Sequence, residues 1–324
     1  MATTDRPNIL IFLVDQMQAQ VLDPQHPCRT PNLDRLADAG VRFTRTFGPS
    51  PHCCPSRATF MSGLYPSRHG VYNNVNTEPA FQTGLSPGVQ LFSESLKTAG
   101  YRLAHAGKWH VSADETPADR GWEEVTPYRK KRADPAARRA RSRNENWRER
   151  LESPRPEGEI VRPGWGRHRA YGPLLEGPDA IDKAPFMGDA VRPALETLHE
   201  MKNESGPWCL CVSTDMAPPS PVPKRFFDLY DPETIPLPES FHDDLKDKPR
   251  VYRRMREALW GQLSMTEVRK TIAHYWALCS LQDAYLGMLL YELDRTGQAD
   301  NTLVLFVGDH GDSCFAHGVL HMGI

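Results

Sequence analysis

Two uninterrupted apolar runs constrain this chain most. They are 8–14 (Asn-Ile-Leu-Ile-Phe-Leu-Val) and 302–307 (Thr-Leu-Val-Leu-Phe-Val), and each is followed within two residues by an aspartate. A strand with one wet face alternates apolar and polar residues. These runs do not alternate, so both faces need cover, as in a central strand of a parallel sheet. A third run, 208–213 (Trp-Cys-Leu-Cys-Val-Ser), has the same character. The expected fold class is therefore α/β, with a mostly parallel central sheet sandwiched by helices. Open sheets of this kind take their ligands beyond the carboxyl ends of the strands. That makes Asp15 and Gln16 candidates after the first run, and Asp309 and His310 after the last. A single aspartate at such a place serves equally well as a cap for the next segment. Several such chain ends meeting at one sheet edge favour a metal.

The stretch 51–63, Pro-His-Cys-Cys-Pro-Ser-Arg-Ala-Thr-Phe-Met-Ser-Gly, reads as a turn feeding a helix. Pro55 suits the first helical position, where no N–H is needed and its fixed φ is already helical. Cys53 is then expected just ahead of the helix N-terminus, where free N–H groups and the dipole favour an anion. Arg57 follows within the first turn and offers a guanidinium fork suited to tetrahedral oxyanions. The plainer alternative is a buried cysteine pair beside a helix cap.

Further elements follow from capping and periodicity. A helix is expected from Thr30 and Pro31 to Gly40, and a strand over 41–47 leads to the cysteine stretch. An amphipathic helix is expected over 89–99, stopped by Gly100. The strand after it ends at Gly107 and is expected to present Lys108 and His110 on one side of the extended chain. Alone, those two residues most often form a surface pair. Helices are expected over 184–201 and 264–297, the latter opened by a Ser264/Glu267 capping box. Residues 128–178 form a basic, Pro- and Arg-rich insertion, with ten Lys/Arg against three Asp/Glu over 129–150. A solvated loop is the favoured reading there, ahead of a contact for an anionic polymer. The formal net charge of −2 argues against a dedicated nucleic-acid binder. The seven cysteines show no disulfide framework. No apolar run approaches membrane-spanning length, so a cytoplasmic location without membrane contact is expected. Homo-oligomerisation is left open.

Two stretches resemble one family. Cys53-x-Pro55-Ser56-Arg57 with its Ser62-Gly63 close is similar to the sulfatase signature, and 100–110, ending Gly-Lys-Trp-His, to the second signature of the same family. Within that family, in the alkaline phosphatase superfamily, Gln16 is similar to the branch of choline sulfatases and phosphonate monoester hydrolases. The resemblance implies that Cys53 is oxidised by a maturation enzyme to formylglycine, whose hydrate is the nucleophile. It implies metal ligation by Asp15, Gln16, the modified Cys53, Asp309 and His310. Oxygen-rich ligands suit Ca²⁺, Mg²⁺ or Mn²⁺. Calcium is the expected ion, although the single imidazole leans toward Mn²⁺. Arg57, Lys108 and Asn74 (with Asn73 beside it) are implied to bind the substrate anion, and His110 to take the proton that regenerates the aldehyde. A polar turn remains the alternative for either asparagine.

The implied activity is hydrolysis of small-molecule sulfate esters. A phosphonate or phosphodiester hydrolase, and a catalytically weak oxyanion-binding protein, are the alternatives. The last rests on departures from the family pattern. Ala217 stands where a histidine serves the leaving oxygen, and Met322 where a lysine is usual; His317 or His321 are the conceivable substitutes. The whole of 1–324 is expected as one catalytic α/β domain, without the family's C-terminal subdomain.

Overall fold

The computed structural model describes residues 6–75, 80–126, 155–162 and 166–320. Five strands form one parallel sheet: β1 (Asn8–Asp15), β2 (Arg102–Gly107), β3 (Glu123–Glu124), β4 (Trp208–Asp215) and β5 (Thr302–Gly308), in the order β3-β2-β4-β1-β5. The three apolar runs are thus adjacent, with β1 between β4 and β5. Side chains alternate across the sheet as the pleat requires. Leu10, Phe12 and Val14 of β1 enter one core with Leu210 and Val212, whereas Ile11 and Leu13 enter the other with Cys209 and Cys211.

Helices cover both faces. In chain order the main ones are α1 (Pro31–Asp38), α2 (Cys53–Ser62), α3 (Phe92–Thr98), α4 (Arg192–Met201) and α5 (Met265–Arg295). The long α5 supplies Ile272, Tyr275, Leu278, Leu286 and Leu289 to the first core, and its Ser264–Glu267 capping box is present. The Thr30 side chain makes no cap to α1. Asp283 of α5 accepts from the N–H groups of Asn32 and Leu33 instead, so the cap comes from a neighbouring helix.

Several expectations are corrected. Residues 41–47 form no strand: they join no ladder among the described residues, and Val41, Phe43 and Phe47 are exposed. An apolar stretch becomes a strand only where a ladder partner exists. The helix expected over 89–99 is confined to Phe92–Thr98. The helix expected over 184–201 opens as a π-helical turn, Met187–Val191, before α4. The basic run 129–150 lies outside the described residues. Later parts of the 128–178 stretch are tied to the body: Glu159–Arg162 pairs antiparallel with Gly166–Arg169, and Leu174–Leu175 pairs with Val222–Pro223.

Candidate metal and anion site

The register of the sheet builds the site. Asp15 of β1 lies opposite Asp215 of β4, Val14 opposite Gly308, and Gly107 of β2 opposite Ser213. The chain leaving each strand therefore starts at nearly one level. Lys108, Asp215, Asp15 and Asp309 stand in a row across four neighbouring strands. Two backbone bonds hold the outer members: Lys108 N–H donates to the Ser213 carbonyl (2.9 Å) and Asp309 N–H to that of Val14 (3.0 Å). Gly107 makes this possible. Its φ is +93°, and a Cβ there would lie 2.1 Å from the Ser213 carbonyl oxygen.

Helix α2 points its first turn into this row. Cys53 is its first residue, with His52 as N-cap, which corrects the expectation of a cysteine ahead of the helix. Pro55 then sits third in the helix, where its missing N–H would still have had no intrahelical partner. Arg57 is fully buried and ties four strand ends together. Its Nε donates to Asp309 Oδ2 (2.7 Å), Nη2 to Asp15 Oδ2 (3.4 Å), and Nη1 to Ser213 Oγ (2.7 Å) and the Lys108 carbonyl (3.1 Å). Ser56 Oγ donates to the Asp309 carbonyl.

The remaining groups close in around Cys53. His310 Nε2 lies 3.2 Å from Cys53 Sγ, while Nδ1 faces the Gly311 carbonyl at 2.9 Å and so carries the ring proton. Lys108 Nζ sits between Asp15 Oδ2 (2.6 Å) and Asp215 Oδ2 (2.8 Å). Asn74 Oδ1 accepts from Cys54 N–H at the start of α2 (3.1 Å), which puts its amide beside the cysteine pair; Asn73 Oδ1 accepts from Asn74 N–H. Residues 108–110 lie outside any strand, and His110 has a φ of +55°, which is not extended backbone. The alternation expected to put Lys108 and His110 on one side therefore does not apply. His110 is largely buried, and its Nδ1 has no hydrogen-bond partner.

Burial sets the electrostatics. It works to raise Asp15, but the nearby Lys108 and then Arg57 overwhelm it and hold the carboxyl far below the ordinary range. In Asp309 burial wins: with Arg57 opposing and Asp15 assisting, its pKa rises to about 6. Burial, reinforced by Asp15, pushes the Cys53 thiol well up. Burial together with Lys108 lowers His110 to about 3, so it is uncharged at neutral pH.

This donor set fits a hard divalent cation. One ligand atom each from Asp15, Cys53, Asp309 and His310 lies within 4.8 Å of the others, and all four residues are buried. Asp15 Oδ1 and Gln16 Oε1 are buried with no hydrogen-bond partner, although such atoms are normally satisfied. Gln16 Nε2 donates to Asp312 Oδ2 (2.5 Å), which leaves the amide oxygen as the atom with unused capacity. Gln16 itself has a φ of +67°. The Tyr275 hydroxyl of α5 holds this turn, donating to the Gln16 carbonyl (2.7 Å) and accepting from Gln18 N–H (2.8 Å).

Sequence reasoning passed over Asp215, Ser213, Asp312 and Tyr275. Asp215 carried the same signal as Asp15, an acid closing a buried run. Tyr275 lies inside the helix expected over 264–297, where nothing local sets its hydroxyl apart. Of the two suggested histidine substitutes, His317 Nδ1 contacts Asp243 Oδ2 at 2.7 Å, and His321 lies outside the described residues.

The carboxyl edge of a five-stranded parallel sheet thus meets a helix start at a buried group of Asp15, Cys53, Asp309 and His310 that could hold a metal ion. The family model described as Sulfatase matches residues 7–322, and the chain belongs to the sulfatase family. It is 29% identical over 347 residues to a choline-sulfatase of Rhizobium meliloti, covering 98% of this chain and 60% of that protein. It is 27% identical over 321 residues to an ulvan-active sulfatase of Formosa agariphila, covering 97% and 52%. Among solved structures, the phosphonate monoester hydrolase of Agrobacterium radiobacter matches with a TM-score of 0.70 at 21% identity, over 98% of this chain and 66% of that one. The chain thus spans about 60% of the choline-sulfatase and about half of the ulvan-active sulfatase. The family generally works with a divalent metal and a formylglycine. Among the described residues no helix is long and apolar enough to cross a membrane.

Proposed function

We propose that this chain hydrolyses sulfate esters, with Cys53 converted to formylglycine by a maturation enzyme and a divalent cation held beside it by Asp15, Asp309, His310 and Gln16. The observation that carries this reading is the buried convergence of Asp15, Cys53, Asp309 and His310 together with the unpartnered Asp15 Oδ1. The choline-sulfatase and ulvan-active sulfatase relatives point to the same ester class. Calcium is the ion proposed first, because four of the five ligand positions would offer oxygen once Cys53 is oxidised. When bound, the cation polarises the ester's nonbridging oxygens and favours the ionised nucleophile.

The chain's own groups do the rest. Arg57 has its donors committed to Asp309, Asp15 and Ser213, so its part is to hold the two carboxylates in place and balance their charge. Lys108, with 15% of its side chain exposed, is the cation that meets the ester anion, and Asn74, bonded to Cys54 N–H at the start of α2, supports it. Neutral His110 takes the proton released when the aldehyde is regenerated. All seven cysteines are buried and free, which supports a reducing, cytoplasmic setting that cell fractionation checks.

The test begins with co-expression alongside a formylglycine-generating enzyme. The mass of the peptide containing Cys53 should show the aldehyde, and the protein should then turn over 4-nitrophenyl sulfate in a chelator-sensitive manner. An unmodified thiol, with a known sulfatase converted in the same cells, would sink the proposal. A weak-enzyme reading is favoured by Ala217. Its N–H donates to Asp215 Oδ1, and it brings no acid to the place where the family's histidine serves the leaving oxygen. On that reading aryl sulfates, whose phenolates leave unaided, are cleaved and alkyl sulfates hardly at all.

A further inference from the structure

Asp215 is the one carboxylate of the strand-end row that solvent reaches. Its side chain is 25% exposed, whereas those of Asp15 and Asp309 are fully buried. Its position is well determined. Register puts it opposite Asp15, Oδ1 accepts from Ala217 N–H (2.8 Å), and Oδ2 accepts from Lys108 Nζ (2.8 Å). The ammonium of Lys108 is therefore held between a buried carboxylate on its inner side and an open one on its outer side. An oxyanion arriving at Lys108 comes from the open side. With ordinary bond lengths it then lies within about 6 Å of Asp215.

From this we infer that Asp215 is a specificity-determining residue that selects singly charged ester anions over doubly charged ones. The inference rests on the proposed anion-binding role of Lys108. The groups that pair with one another along the strand-end row are three carboxylates (Asp15, Asp309 and Asp215) against two cations (Arg57 and Lys108), with Asp312 outside this set on Gln16. A divalent ion held by Asp15 and Asp309 converts the single negative excess into a single positive one, which matches a sulfate monoester or the monoanion of a phosphonate monoester. Without Asp215 the excess would be two, which matches a phosphate monoester dianion. Coulomb repulsion from Asp215 scales with ligand charge, so it penalises the dianion about twice as much as the monoanion. Selectivity of this kind comes from a repulsive element placed against the wrong ligand.

Calorimetric binding of phenyl sulfate and phenyl phosphate to the unmodified chain, at pH 8 in Mn²⁺ buffer, tests the inference without turnover. The wild type should prefer phenyl sulfate. Asp215→Asn should shift the affinity ratio toward phenyl phosphate by about tenfold or more, and Asp215→Glu should restore the preference. The same ratio shift is expected in kcat/KM for the 4-nitrophenyl esters after maturation. An Asp215→Asn protein that melts normally but keeps the wild-type ratio, or loses both ligands equally, would overturn the inference and leave Asp215 as a support for Lys108 alone. Failure of both anions to bind wild type would defeat the sulfate-ester reading itself, and this inference with it.

Discussion

Two guanidinium–carboxylate networks in this molecule, one around the partly exposed Arg155 and one around the fully buried Arg57, have different chemistry. At the start of α5, Glu267 accepts from Arg155 Nη1 (2.6 Å) and Nη2 (2.8 Å), from Gly158 N–H (2.6 Å) and from Ser264 N–H (2.7 Å), so both of its oxygens are occupied. At the strand ends, Arg57 joins Asp15 and Asp309, but Asp15 Oδ1 has no hydrogen-bond partner, with His310 Nε2 at 3.8 Å, and the two acids crowd each other. Fully bonded buried networks rigidify a fold, whereas a partly bonded one is costly unless something completes it. Glu267 ties the Arg155–Gly158 segment to α5. The Arg57 network keeps an oxygen in reserve and crowds like charges, which is the arrangement a cation completes.

The largest effect is expected from Arg57→Ala. Removing the fully buried guanidinium leaves Asp309 without its cation and Asp15 with Lys108 alone, at a cost of about 3–5 kcal/mol in denaturant unfolding. A loss below about 1 kcal/mol would mean that other groups already balance Asp15 and Asp309.

Next comes the acid limb of stability. Glu267 has its pKa lowered to about 2, by Arg155 first, from an ordinary 4.5. Its contribution is fully present above pH 4.5 and is lost as pH falls from there toward 2, on the order of 3 kcal/mol. Glu267→Gln should flatten that limb in urea titrations at stepped pH while leaving any metal response intact. An unchanged acid limb would remove Glu267 from the account.

Metal response separates the networks more finely. Mn²⁺ or Ca²⁺ at about a hundredfold over Kd should stabilise the wild type by about 2.7 kcal/mol. Asp15→Asn should abolish that gain in thermal melts, and Glu267→Gln should not. Equal responses in the two variants would place the ion elsewhere.

The smallest effect concerns the leaving group. Ala217→His in the matured protein should raise kcat/KM on alkyl sulfates about tenfold relative to aryl sulfates, less than the roughly hundredfold or more of an acid evolved into place. An unchanged ratio would show that residue 217 does not face the leaving oxygen.

Much of this was legible in the residues. Unbroken apolar runs allow only two-sided burial, so β1, β4 and β5 could be read as central strands, and the acids closing them as candidates for a sheet-edge site. Asp215 escaped notice because the segment after it invited comparison with a missing histidine. The failed strand at 41–47 shows the limit of local pattern, since a ladder needs a partner that local pattern does not specify. The early start of α2 at Cys53 has the same lesson, because Pro55 is tolerated at any of the first helical positions.

By itself the sequence determined the fold class, the positions of the main strands, the α5 capping box and the residue types brought to the site. These follow from periodicity, capping and side-chain chemistry, which act within a few residues. Only the tertiary structure decided that Arg57 serves Asp15 and Asp309, that Lys108 lies between Asp15 and Asp215, and that one Asp15 oxygen has no hydrogen-bond partner. Those facts depend on strand register and burial. Both are set by packing among segments up to three hundred residues apart, and no local pattern encodes them.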